Sequence, residues 1–296
     1  MVIVRLMGGL GNQMFQYAAA RRIALAHQVP LKLDISWFAH WPDRAYALHG
    51  LDIQETFATP DELRQVAGPS AKGIGRLAFR LRRRWGIAYG WTWIHERGLS
   101  PFDRRVLDPP TRVYLDGYWQ SEKYFDDVAD TIRREFTIDC PMDAMAARAR
   151  DVADRIATTA SVSVHIRRGD YVADPRNSRV RSVCTPAYYQ ACVARVAERV
   201  ADPHLFLFSD DPAWVAANLR FAYPATLVSE RAQHQEHSEL RLMSACRHHI
   251  IANSSFSWWG AWLDPRPDKL VLAPRRWMND PRVDDRDVLP PGWIRV

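Results

Sequence analysis

Ser161-Val162-Ser163-Val164-His165-Ile166-Arg167-Arg168-Gly169-Asp170-Tyr171 reads as a strand that runs straight into a polar turn. Period-two alternation puts His165 and Arg167 on one face and Val162, Val164, Ile166 and Arg168 on the other, which is apolar. The two arginines therefore differ in role. Arg167 is the candidate to reach into a ligand site, whereas Arg168 is expected to be a buried brace paired with a carboxylate, because an unpaired buried charge is costly. Asp170 is a candidate partner for one of them. A surface turn that merely ends a strand is the plain alternative.

Downstream, strands and helices alternate. The pattern predicts helix Pro186 to Val200 with Thr185 as N-cap, strand Leu205 to Phe208, helix Ala213 to Leu219 and strand Thr226 to Val228. Helix Ser238 to Cys246, strand His249 to Ala252, helix Phe256 to Leu263 and strand Leu270 to Ala273 follow. Upstream, Val2 to Val4 reads as a strand, Gly8 to Gly11 as a turn, Met14 to His27 as a helix and Leu31 to Asp34 as a second strand. Val113 to Leu115 is a further strand and Tyr124 to Phe136 a helix with apolar residues at helical spacing. Trp37 to about Pro110 has weak periodicity and gives no assignable detail beyond an expectation of some helix. This order predicts an α/β protein with two Rossmann-like doubly wound domains, residues 1–139 and 140–296, facing across a cleft. The C-terminal tail is a candidate to pack back on the first.

Composition narrows the function classes. The 296 residues are 47% apolar, ample for a core, and no stretch reaches the roughly 18 apolar residues of a membrane span. Nothing at the N-terminus resembles an export signal, so a cytoplasmic address is expected. Cys140, Cys184, Cys192 and Cys246 have neither C-x-x-C spacing nor a histidine at ligand distance, and His248 and His249 point to opposite faces of a strand, so no metal site is expected. All but four of the 40 basic residues are arginine, and the net charge is +6. Ile74, Leu77, Leu81 and Trp85 form an apolar stripe backed by Arg76, Arg80, Arg83 and Arg84. Such a helix, from Arg76 to Trp85, suits peripheral contact with an anionic membrane on its inner face, or packing on its own domain with a solvated basic side.

Three more segments carry chemistry. Asn253-Ser254-Ser255-Phe256-Ser257-Trp258-Trp259-Gly260 follows a strand and opens a helix, where exposed amides make an anion site; the plain alternative is an ordinary N-cap. Gly8-Gly9-Leu10-Gly11-Asn12-Gln13 imitates a dinucleotide fingerprint, but Met14 stands where its third glycine belongs, which weakens a nicotinamide reading. What is left is a turn at Gly9 and Gly11 that lets backbone approach a ligand, with Asn12 and Gln13 as neutral polar contacts. Asp210 and Asp211 end a strand, where carboxylates can accept from the N–H groups of guanine or hold a metal, or where Asp211 can cap the next helix before Pro212.

Together with Leu115-Asp116-Gly117-Tyr118-Trp119-Gln120, these segments resemble, in the family's order and over nearly the whole chain, the α-1,2-fucosyltransferases of glycosyltransferase family 11, bacterial type. The resemblance implies a GT-B-type fold, with GDP-fucose bound mainly by the C-terminal half at His165, Arg167, Asp210, Asp211, Asn253, Ser254, Ser255 and Phe256, and a β-galactoside acceptor bound by the N-terminal half. It implies inverting transfer of L-fucose to the galactoside 2-hydroxyl without a cofactor or metal, Arg167 and the amides near Ser254 to Phe256 stabilising the departing diphosphate. Asn12 would orient the acceptor or a phosphate oxygen; Asp34, Asp116 and Asp170 are candidate bases, a loosely dissociative path with the phosphate taking the proton being the other option. Another nucleotide-sugar transferase, an NAD(P)-linked oxidoreductase and a nucleic-acid-binding module are the rival expectations. No nucleic-acid partner is expected, because neither of the last two accounts for all four motifs.

Overall fold

The buried run Val2–Arg5 forms β1, and the chain turns at Gly8 and Gly9 into α1, Leu10–His27. The helix starts earlier than its apolar pattern implies, because Gly9 is the N-cap and its carbonyl accepts from the amides of Asn12 (3.0 Å) and Gln13 (3.1 Å). Gly11 is therefore a buried residue of the first helical turn, which shortens the expected turn to Gly8 and Gly9. Gly8 has φ +79°, a left-handed backbone that favours glycine, and a Cβ there would also crowd the side-chain amide of Asn12. Helix α1 is buried nearly all round, and its polar members are satisfied inside: Gln16 accepts from the Met7 amide at 2.9 Å. At its far end Arg21 forms a bidentate pair with buried Glu135, which also accepts from the Tyr17 hydroxyl at 2.7 Å.

The computed structural model describes residues 1–67, 87–89, 92–96, 98–137, 147–169, 184–229 and 236–296. They form two units, Met1–Thr137 with Val283–Pro290, and Ile138–Arg282 with Pro291–Val296. The basic segment from Arg76 to Trp85, Cys140 and Asp170 lie outside the described residues. No described helix is long and apolar enough to cross a membrane.

The first unit holds β1, β2 (Leu31–Asp34), α2 (Pro60–Ala67), β3 (Ile87–Tyr89), β4 (Trp93–Glu96), β5 (Val113–Asp116) and α3 (Ala129–Glu135). Its sheet runs β2-β1-β5-β4-β3, parallel except for β3 against β4. The expected helix from Tyr124 is interrupted. Phe125 leaves helical backbone (φ −153°, ψ 13°) and buries its ring beside Phe15, centroids 6.2 Å apart, so tertiary packing overrides the local period.

The second unit is built on a six-stranded sheet in the order β11-β10-β9-β6-β7-β8, every pair parallel: β6 (Ala160–Ile166), β7 (Pro203–Ser209), β8 (Ala225–Leu227), β9 (His248–Ile250), β10 (Val271–Ala273) and β11 (Ile294–Arg295). Helices α4 (Ala147–Thr158), α5 (Pro186–Ala197), α6 (Pro212–Asn218), α7 (Glu236–Ala245) and α8 (Ser255–Leu263) accompany it. Thr185 caps α5 by accepting from the Tyr188 amide, with proline at the first position, as its sequence implies. Val162, Val164 and Ile166 of β6 pack with Tyr189, Cys192 and Val196 of α5, while Phe206 and Phe208 of β7 face α4 and α7. Both units are α/β, and both sheets reverse their strand order in the middle.

Candidate functional site

That reversal places the chemistry. In a doubly wound sheet, ligands collect beyond the carboxyl ends of the strands where the order turns back. In the second unit the reversal lies between β6, which continues to β7 and β8, and β9, which continues to β10 and β11. Arg167 follows β6, Asp210 follows β7, and Asn253 to Phe256 follow β9, so segments distant in sequence meet at one sheet edge.

His165 is 4% exposed, lies in a tilted contact with Phe256 at 5.7 Å, and leaves Nδ1 without a hydrogen-bond partner. Burial, reinforced by the charge of Arg167, pushes its pKa down to about 3, so the ring is neutral at physiological pH. A buried, unspent imidazole nitrogen beside a helix start suits a ligand oxygen or N–H.

Arg167 Nε contacts Asp210 Oδ2 at 3.1 Å. The same carboxylate accepts from the amides of Arg168 (2.8 Å) and Gly169 (3.0 Å). A Cβ at position 169 would sit 2.8 Å from Asp210 Oδ2, so glycine lets the turn close on the carboxylate. Arg168 lies 3.6 Å from the centroid of the Trp214 ring, with Nε 3.5 Å from Asp211 Oδ2. It is the expected brace, although at 25% side-chain exposure it is stacked on the surface rather than buried. Asp211 also caps α6, accepting from the Trp214 amide at 3.1 Å. Both aspartates, expected as acceptors for guanine, also serve protein donors: Asp210 takes the two turn amides and Arg167, and Asp211 takes the Trp214 amide. The described carboxylate partners of the two arginines are Asp210 and Asp211, while Asp170 lies outside the described residues.

Asn253 is buried, donates Nδ2 to the Trp277 carbonyl at 3.0 Å and accepts from the Cys184 thiol at 3.7 Å, which fixes the turn leading into α8. Ser254 is the N-cap without a side-chain capping bond, and Ser255 and Phe256 open the helix. The first amides of a helix have no intrahelical acceptor and carry its positive dipole end, which suits a phosphate. His248 and His249 have separate partners: the Leu270 amide donates to His248 Nδ1, while His249 contacts Ser163 Oγ (2.8 Å) and Asp264 Oδ2 (3.0 Å). Ser163, His249 and Asp264 are 1%, 0% and 0% exposed, so this serine–histidine–aspartate chain is closed to substrate and structural.

The first unit has its own reversal, between β1 and β5. Across it Gln120 donates to Asn12 Oδ1 at 2.8 Å, joining the turn after β5 to the start of α1. Asp116 is held by His95 (2.9 Å) and Arg5 (3.2 Å); burial opposes its charge, but these partners keep its pKa below the usual carboxylate value. Asp34 accepts from the Tyr114 hydroxyl (2.5 Å) and the Ser36 amide (2.9 Å). Of the three candidate bases, Asp34 and Asp116 thus have a protein partner on each carboxylate oxygen, and Asp170 lies outside the described residues.

Sequence reasoning missed three contributors. Glu239 on α7 lies near Asp210 and bonds Ser229, and burial raises its pKa to about 7. Glu96 braces the turn after β5, accepting from the amides of Tyr118 (2.6 Å) and Trp119 (2.9 Å). Gln120 stood inside a quoted motif but had no visible partner until the fold brought Asn12 to it. Among the described residues no group of three or more His, Cys, Asp or Glu side chains is placed to hold a metal ion.

The family model Glycosyl transferase family 11 matches residues 97–296. Over its whole length the chain is 32% identical to the α-1,2-colitosyltransferase of Escherichia coli, covering 98% of that protein. It is 30% identical to the O-antigen biosynthesis glycosyltransferase WbnK of Escherichia coli, across 92% of this chain and 93% of that one. Half of the chain is 27% identical to 41% of the galactoside α-(1,2)-fucosyltransferase 1 of Rattus norvegicus. The chain belongs to glycosyltransferase family 11.

Proposed function

We propose, with that membership as the premise, that the protein transfers L-fucose from GDP-β-L-fucose to the 2-hydroxyl of a terminal β-galactoside, with inversion and without a metal. The observation that carries this is Arg167, placed by Asp210 at the carboxyl end of β6 next to the start of α8. Acceptor O2 attacks the anomeric carbon from the face opposite GDP. As that bond forms, the bond from carbon to the β-phosphate oxygen breaks, and the electron pair leaves on the diphosphate. The guanidinium of Arg167 and the first amides of α8 supply positive charge where this negative charge develops, while His165 offers a neutral nitrogen to the same ligand. Asn253, Ser254, Ser255 and Phe256 shape the diphosphate cradle; Asp210 and Asp211 hold the arginines in position. The acceptor O2–H proton passes to solvent water as the new bond forms, since attack and departure occur on opposite faces and the departing phosphate is badly placed to take it directly. Asn12, tied to Gln120, orients the acceptor.

A second donor is favoured by the relationship to the colitosyltransferase. Colitose is fucose without its 3-hydroxyl, so the same cradle accommodates GDP-colitose, and the choice rests on what meets that hydroxyl. The test is a donor panel of GDP-fucose, GDP-colitose, GDP-mannose and UDP-galactose, each offered with lactose and N-acetyllactosamine. Transfer from GDP-fucose above the others, giving an α-1,2 linkage by NMR, supports the proposal. Turnover confined to GDP-colitose moves it to the second donor, and turnover confined to a UDP-sugar refutes it.

A further inference from the structure

The three exposed large apolar side chains of the described residues, Ile35 (38%), Trp41 (55%) and Phe57 (41%), all fall between β2 and α2. A globular protein exposes single apolar residues without consequence, but among the described residues these three share the connection between β2 and α2. Trp41 is the most exposed of them, and it has an aromatic ring stacked behind it. Its ring is stacked on Trp37, centroids 5.4 Å apart and planes 11° apart, and Trp37 meets Phe38 edge-on at 5.3 Å.

The segment is anchored to the carboxyl edge of the first sheet. The side chain of Gln13, itself fully buried, donates to the carbonyls of Gly8 (3.0 Å) and Ala45 (2.9 Å) and accepts from the Ala47 amide at 2.8 Å. The Arg44 amide donates to the Trp41 carbonyl at 3.1 Å, and a Cβ at Gly9 would lie 3.6 Å from Arg44 Nη1. Arg44, Ala45 and Ala47 are thereby held beside the glycine turn that leads into α1 and Asn12, and Trp41 is tied to them through the Arg44 amide.

We infer that Trp41 is the stacking platform for the acceptor sugar. A β-galactopyranoside presents the C–H bonds of carbons 3, 4 and 5 on one face. Those slightly positive hydrogens match the negative face of an indole ring, while the hydroxyls at the rim are left for polar side chains. A flat, rigidly backed ring with a polar rim suits a pyranose better than a lipid surface, which favours a basic rim around apolar side chains. This inference rests on the transferase proposal above.

Trp41→Ala should raise the KM for a galactoside acceptor on the order of 10-fold or more, with the effect on KM rather than kcat, and Trp41→Phe should recover most of it. Circular dichroism and thermal melting of each variant report whether the fold is intact. Saturation-transfer NMR on lactose should show the galactose H3, H4 and H5 signals in the wild type and lose them in Trp41→Ala. An unchanged acceptor KM in Trp41→Ala overturns the inference while leaving the activity standing. So does loss of binding to anionic phosphatidylglycerol vesicles with an unchanged KM. If the wild type glycosylates no galactoside, the activity proposal fails; contact with any other pyranoside that Trp41→Ala abolishes still supports the platform, and no such contact overturns it.

Discussion

Asp210 and Arg167 are joined Oδ2 to Nε at 3.1 Å, and the same carboxylate gathers the amides of Arg168 and Gly169. The guanidinium proposed to be catalytic is thus aimed by a carboxylate just beyond the end of the neighbouring strand, and the helix that follows begins with Asp211 beside the other arginine. Asp210 acts through Arg167 and is a positioning residue. Asp210→Asn keeps the amide contacts in part and loses the charge. It should lower kcat about 10- to 100-fold with a smaller change in the KM for acceptor, and Asp210→Glu should recover part of the loss. A KM effect as large as the kcat effect would assign Asp210 to substrate binding instead.

Asn253 fixes the turn into α8 from inside the protein. Asn253→Ala leaves the Trp277 carbonyl without its donor, so we expect a loss of about 1–3 kcal/mol in unfolding free energy and weaker GDP binding by calorimetry. Unaltered GDP affinity would show that the start of α8 does not contact the diphosphate.

Glu96 sets a pH dependence of stability. It is 3% exposed; burial raises its pKa to about 7, against the lowering effect of the Trp119, Tyr118 and Ser100 amides, and its Oε1 has no partner. A carboxyl whose folded pKa lies above its unfolded value of 4.5 contributes stability that is complete below 4.5 and is lost as pH rises through about 7. Glu96→Gln removes that loss, so the melting temperature of the variant relative to wild type should climb between about pH 5 and pH 8. A constant difference over that range contradicts the assignment.

The pair Arg21 and Glu135 is bidentate, and its side chains are only 11% and 10% exposed. Glu135→Ala strands a charge and the Tyr17 hydroxyl, and should cost about 3–5 kcal/mol in chemical denaturation. A cost below about 1 kcal/mol would mean that water reaches the pair as it does an exposed one.

Much of this protein is legible because its sequence repeats one physical pattern. Val162, Val164 and Ile166 alternate with Ser163 and His165, so strand and facing can be read together, and Thr185-Pro186 and Asp211-Pro212 mark helix starts by chemistry alone. Reading failed where tertiary contacts replaced the pattern. His95 and Glu96 are buried polar residues satisfied by Asp116 and by turn amides, so β4 shows no apolar alternation. Phe125 gave a helical period yet left the helix to reach Phe15. At the site, Arg167 was found by strand facing, but its partner was not, because Asp210 lies 43 residues away and only β6 pairing with β7 brings them together. The pairing of Asp211 with Arg168 is hidden from the sequence for the same reason.

The proposed mechanism assigns to Arg167 and the α8 amides the charge that a metal ion would otherwise supply to the leaving diphosphate, and so predicts metal independence. Transfer should persist in excess EDTA at close to its untreated rate. Complete loss that Mn²⁺ restores would show that a cation carries the charge assigned to Arg167.

The most direct measurement is single-turnover transfer by Arg167→Ala, with circular dichroism and thermal melting to show that the fold is kept. We predict a rate lower by on the order of 100- to 1000-fold, with Arg167→Lys recovering only part, since a point charge lacks the guanidinium fork. A folded Arg167→Ala variant that transfers sugar at the wild-type rate would contradict the account.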